Sequence, residues 1–155
     1  IGCWYGQSLI VIRDNTIRDN IVSSANDNAG GGGIYSRNNS QLISNNVISH
    51  DSLSGYNTFG GAVMIVNTDH TEMTGNIITR NKVNNINWSS PGVYIWNPEG
   101  PVNILQNEFS YNEGNQVADQ GGGGGLRIDR AYDYPVVVDG NRFLHNSEDY
   151  GGGFL

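Results

Sequence analysis

An all-β solenoid, a right-handed parallel β-helix of about five turns of 30–34 residues with three short strands per turn, is predicted by three observations. A motif Asn-x-Ile/Phe-x-x-Asn/Asp recurs five times at nearly one spacing. A glycine cluster followed by an apolar residue alternates with it. Asparagine is as common as glycine, and both enter left-handed backbone conformations cheaply, so the chain turns often.

The first half of the unit stands at Asn15–Asn20, Asn46–Asp51, Asn76–Asn81, Asn107–Asn112 and Asn141–Asn146, with successive spacings of 31, 30, 31 and 34 residues. Three residues before each first Asn lies an apolar side chain: Ile12, Ile43, Met73, Ile104 and Val138. Ile10, Val102 and Val136, two residues earlier again, give the alternation of a strand with one face inward. Ile17, Ile48, Ile78, Phe109 and Phe143 mark the strand after the first Asn. The other half reads Gly31-Gly32-Gly33-Ile34, Gly60-Gly61-Ala62-Val63, Gly92-Val93, Gly123-Gly124-Gly125-Leu126 and Gly151-Gly152-Gly153-Phe154, with Gly2-Cys3 as a further copy. Strands this short must pair with their equivalents one turn away. Five turns at about 4.8 Å make a rod about 24 Å long.

An Asn at a bend takes the αL conformation and hydrogen-bonds its equivalent one turn away, so Asn15, Asn46, Asn76, Asn107 and Asn141 are expected to form a structural ladder. The glycines allow close backbone approach where a Cβ would clash. A phosphate cradle needs glycines leading into a helix, whereas these lead into strand-like residues.

Gly60-Gly61-Ala62-Val63, Gly123-Gly124-Gly125-Leu126, Phe109-Ser110-Tyr111-Asn112 and Phe143-Leu144-His145-Asn146 resemble the repeats of polymorphic outer-membrane proteins. More broadly they resemble the right-handed parallel β-helix superfamily that includes pectate lyases. The resemblance covers nearly the whole chain. It departs from the pattern where Ile replaces Phe in three copies and where Ser90-Pro91-Gly92 stands for a double glycine. It implies architecture; the superfamily holds lyases, hydrolases, epimerases, adhesins and passive stalks alike.

Composition narrows the partners. The net charge of −7 and a single lysine, Lys82, argue against a nucleic-acid surface. One cysteine, Cys3, excludes an internal disulfide and reads as a small buried residue. No apolar run is long enough for a transmembrane helix. The chain lacks an initiator Met and its first residues already read as strand, so residues 1–155 are taken as one β-helix segment of a longer chain. Both ends would expose strand edges, and further turns or another subunit are expected to cover them.

Function has to sit in the loops. The segment after each glycine strand collects Arg37, Asp69, His70, Glu72, Trp96, Glu99, Arg130, Tyr132, Asp133 and Tyr134 on one face. On neighbouring turns, carboxylates such as Asp69, Glu99 and Asp133 would stand about 5–10 Å apart, the range of glycosidase pairs. Asp69, Glu99, Arg130 and Asp133, with Asp129 beside them, are therefore the catalytic candidates for a polysaccharide lyase or glycoside hydrolase. The bland alternative is that solvated loops of any solenoid collect charges. Asn67-Thr68-Asp69 resembles a short polygalacturonase motif, but the paired Asp-Asp, Gly-His-Gly and Arg-x-Lys that accompany it are missing.

Aromatics interleaved with amides suit a sugar groove, since rings stack on pyranose faces and amides bond hydroxyls. Tyr56, Phe59, Trp88, Trp96 and Tyr132 are the candidates for that role. The alternative is that they fold back over the rod. His50, His70 and His145 do not share one register, so no metal site is assigned, and the calcium that carboxylates and Asn carbonyls could hold lacks any Asp-x-Asp-x-Asp pattern. The leading expectation is an extracellular or cell-surface scaffold, adhesin-like, contacting a polysaccharide or cell-surface glycan. Its rivals are the enzyme above and a carbohydrate-binding module. Within the stretch Asn107–Leu126, Glu113 to Gln120 has no counterpart in other turns.

Overall fold

The computed structural model describes residues 1–4, 8–24, 28–85, 89–114, 122–148 and 151–155. Sheet 1 stacks Gly2–Trp4, Ile34–Arg37, Val63–Val66, Val93–Trp96 and Leu126–Asp129, the strands that follow the glycines. Sheet 2 stacks Leu9–Arg13, Ser40–Ser44, His70–Thr74, Val102–Leu105 and Val136–Asp139. Sheet 3 stacks Thr16–Arg18, Val47–Ser49, Ile77–Thr79, Glu108–Ser110 and Arg142–Leu144. These are the three strands per turn that the repeat predicts.

Each strand pairs in parallel with its equivalent one turn away; Ile34, Val63, Val93 and Leu126 stand opposite one another in sheet 1. Crossovers between parallel strands run right-handed. Four complete turns separate Gly2–Trp4 from Leu126–Asp129, and most of a fifth follows, ending in a bridge between Leu126 and Phe154. The stacked sheets thus make about four turns, one fewer than the repeat count predicts.

Two further columns complete each middle turn. Sheet 4 holds Ile21–Ser23, Ser52–Gly55 and Lys82–Asn85, and sheet 5 holds Ala29–Gly30, Thr58–Phe59 and Ser89–Ser90. Their sequences read as loop because a two-residue strand has no period and sheet 4 turns only one apolar residue per rung inward, Val22, Leu53 and Val83. No helix among the described residues is long and apolar enough to cross a membrane.

The core is a set of stacked columns. Ile12, Ile43, Met73 and Ile104 form one, Ile17, Ile48, Ile78 and Phe109 a second, and Ile34, Val63, Val93 and Leu126 a third, nearly all fully buried. Phe109 and Phe143 stack with centroids 4.9 Å apart and planes 6° from parallel. The glycines stand where neighbouring rungs touch: a Cβ on Gly61 would run into the Pro91 carbonyl oxygen. Cys3 is half-buried rather than buried, because it lies on the edge strand of sheet 1 with a neighbour on one side only.

Both asparagine columns form ladders. In the first, the Asn76 amide nitrogen donates to Asn107 Oδ1 at 2.9 Å and to the Ile43 carbonyl at 2.8 Å, while Asn76 Oδ1 accepts the backbone N–H of Asn46 at 3.0 Å. The αL conformation, however, belongs to the residue before each ladder position. Asp14, Asn45, Gly75, Gln106 and Gly140 precede the first column, and Asp19, His50, Arg80, Tyr111 and His145 the second, all at positive φ. That residue turns the chain outward at the corner, which lets the next side chain point inward and reach the rungs on either side.

Candidate functional site

Outward positions of sheet 1 follow directly from the inward ones. Since Ile34, Val63, Val93 and Leu126 face the core, the next residues, Tyr35, Met64, Tyr94 and Arg127, face out in one column. Two residues on, Arg37, Val66, Trp96 and Asp129 form a second. These two columns floor a groove of about 660 Å³. Phe59, Gly30 and Asn28 lie along one side, and Arg130 and Tyr132 line it beyond Asp129. Gly30 matters to the wall, because any Cβ there would collide with the Met64 sulfur.

Ring contacts hold the floor. Phe59 stacks on Tyr94 at 5.0 Å, Arg127 lies over the Tyr94 ring at 5.4 Å, and Arg130 lies over Trp96 at 5.1 Å. Tyr94 is only 5% exposed although its strand position faces outward. Its hydroxyl donates to Asp129 Oδ2 at 2.9 Å, and Arg127 donates to the same oxygen through Nε at 3.0 Å and forms an ion pair with it through a terminal nitrogen 2.9 Å away. Burial, with the Asp129 carboxylate adding to it, pushes the Tyr94 phenol above its usual range, so it stays a donor. Three arginines and one aspartate line the groove, a local balance opposite in sign to the chain's −7.

Of the residues singled out for sugar contact, Phe59, Trp96 and Tyr132 line the groove, and Tyr132 is 81% exposed. Tyr56 is exposed and lies apart from it. Trp88 lies outside the described residues, as do 115–120 of the stretch Glu113–Gln120. Of the catalytic candidates, Arg130 and the neighbouring Asp129 line the groove; Asp69, Glu99 and Asp133 are exposed and are not part of it. Glu99 is instead held by its own turn, accepting from the Asn97 amide at 3.4 Å. Among the described residues, no three His, Cys, Asp or Glu side chains come together as a set of metal ligands.

Arg37 and Trp96 sit at strand ends in sheet 1 rather than in loops, which puts their side chains on a fixed lattice. Sequence reasoning missed Tyr35, Met64, Tyr94 and Arg127. The signal was present: each follows the first inward apolar residue after the glycines by one position, where a strand must face outward.

The fold and the groove together define a class of molecule: an all-parallel solenoid with an aromatic, arginine-bearing groove on the outer face of sheet 1. The chain matches the family model for the right-handed β-helix region over residues 1–155 and belongs to that family. Among curated proteins and among solved structures, nothing matches it.

Proposed function

We propose that the chain is a β-helix scaffold of the cell surface or the extracellular space that contacts glycan through the sheet 1 groove. The observation that carries this reading is the floor itself. Trp96 and, two rungs away beyond Met64, Tyr35 lie in the floor, flanked by Phe59 and Tyr132, with Tyr94 buried beneath Phe59 and Arg127, so that rings, guanidinium groups and one carboxylate line a single open cleft. Rings supply faces for pyranose stacking, and the polar groups fix hydroxyl orientation. Rungs spaced by about 4.8 Å present such contacts at a regular interval along the axis.

A polysaccharide lyase or hydrolase built on Asp69, Glu99, Arg130 and Asp133 has less support. Its three carboxylates stand in solvent outside the cleft. The glycan reading is tested by calorimetry against a panel of neutral and acidic oligosaccharides. Binding is expected, and Trp96→Ala should weaken it about tenfold or more by removing an aromatic anchor. An absence of binding across the panel, or a Trp96→Ala protein that binds like the wild type, defeats the proposal.

A further inference from the structure

Resting on the glycan reading, the geometry points to Asp129 as the residue that sets which sugar the groove accepts: its Oδ1 takes a ligand hydroxyl, so the unit seated there is neutral rather than a uronic acid. Among the described residues, the side-chain donors that reach the Asp129 carboxylate converge on Oδ2: the Tyr94 hydroxyl and Arg127 Nε donate to it, and a terminal nitrogen of Arg127 forms an ion pair with the same oxygen. Oδ1 has no partner among the described residues, while the side chain is 27% exposed and lines the groove. One oxygen therefore locks the carboxylate in place and the other is left as a rigid acceptor. Acceptors reward donors: a sugar hydroxyl satisfies Oδ1, whereas a ligand carboxylate at the same place meets like charge. Arg127 is already committed to Oδ2 and Arg37 stands three rungs away, about 14 Å, which leaves Arg130, stacked over Trp96 and still charged, as the remaining groove cation.

The experiment compares matched pairs of oligosaccharides in the gluco, galacto and manno series, each neutral form beside its C6-oxidised uronic counterpart. Wild-type protein is expected to favour the neutral member by about tenfold or more, the usual worth of a hydrogen bond to a charged group. Asp129→Asn should abolish that preference. Tyr94 and Arg127 are donors, so the new side chain turns its carbonyl toward them and presents its NH2 to the ligand. Tyr94→Phe keeps the ring, removes one of the locking donors, and should lower the preference part of the way; it decides the matter alone if Asp129→Asn fails to fold. A wild type that favours the uronic member, or variants that leave the ratio unchanged, overturns the assignment of Asp129 and leaves the glycan groove standing. Failure of every pair to bind overturns both.

Discussion

The two asparagine ladders share one geometry and differ at one rung. The first runs Asn15, Asn46, Asn76, Asn107 and Asn141, an amide at every level. The second runs Asn20, Asp51, Asn81, Asn112 and Asn146. Elsewhere in that column the amide nitrogen donates to a carbonyl one rung back, Asn81 to Ile48 at 3.1 Å and Asn112 to Ile78 at 2.9 Å. Asp51 has no such donor. Its Oδ1 accepts from Asn20 as an amide oxygen would, at 2.7 and 3.0 Å, but its Oδ2 is buried without a hydrogen-bond partner. Burial raises the Asp51 pKa from its ordinary 3.8, with Asp19 adding to the rise and the Asn20 hydrogen bonds opposing it. A proton on Oδ2 would restore a donor where the other rungs have N–H. The difference shows that the ladder needs a donor and an acceptor at every level; a matching shape is not enough.

Breaking the intact column should cost most. Asn76→Ala strips partners from the Asn46 N–H and from the Ile43 and Thr74 carbonyls, all at a buried position, and about 3–5 kcal/mol of unfolding free energy should be lost in urea titrations. A loss below about 1 kcal/mol would mean that the ladder is ornamental.

Repairing the defective column should have a smaller effect of opposite sign. Asp51→Asn supplies the missing donor and should stabilise the fold by about 1–2 kcal/mol at neutral pH. Because the folded-state pKa of Asp51 is raised, its stabilising contribution is complete below the unfolded value, near 3.8, and fades as pH climbs through the folded value. The gap in Tm between variant and wild type should therefore widen as pH rises from about 4 and close toward acid. A gap that stays constant with pH would show that the Asp51 pKa is the same in the folded and unfolded chain.

The smallest effect belongs to the first rung. Asn15 is exposed and, among the described residues, its side chain donates only to Asn46 and to the Arg13 carbonyl, so Asn15→Ala should cost less than about 1 kcal/mol. A cost equal to that of Asn76→Ala would point to an end as tightly built as the middle.

The ladders were legible because their chemistry is periodic: an inward amide bridging two rungs has few substitutes, so Asn recurs and its spacing is visible. The corner conformation was not legible at its true position. Asp14, Gln106, Arg80 and Tyr111 share a positive φ but no residue type, since the ladder beside them compels the backbone and their side chains stand in solvent. The groove was legible in part. Trp96, Phe59, Tyr132 and Arg130 were found because aromatic and charged residues in presumed loops attract notice. Tyr94 and Arg127 were hidden on strands, where strict alternation was the only signal, and the lock on Asp129 depends on contact between two rungs that no single stretch contains.

The corners carry a further consequence. Asp19, His50, Arg80, Tyr111 and His145 occupy one edge of the solenoid, one per level, in the same backbone conformation and with side chains that change from each level to the next. Arg80 rests over Tyr111 at 5.3 Å and Tyr111 stacks on His145 at 5.0 Å. The interior repeats nearly the same side chain at each level, but along this outer edge neighbouring levels differ, and a repetitive polymer laid along it would meet different chemistry from one step to the next.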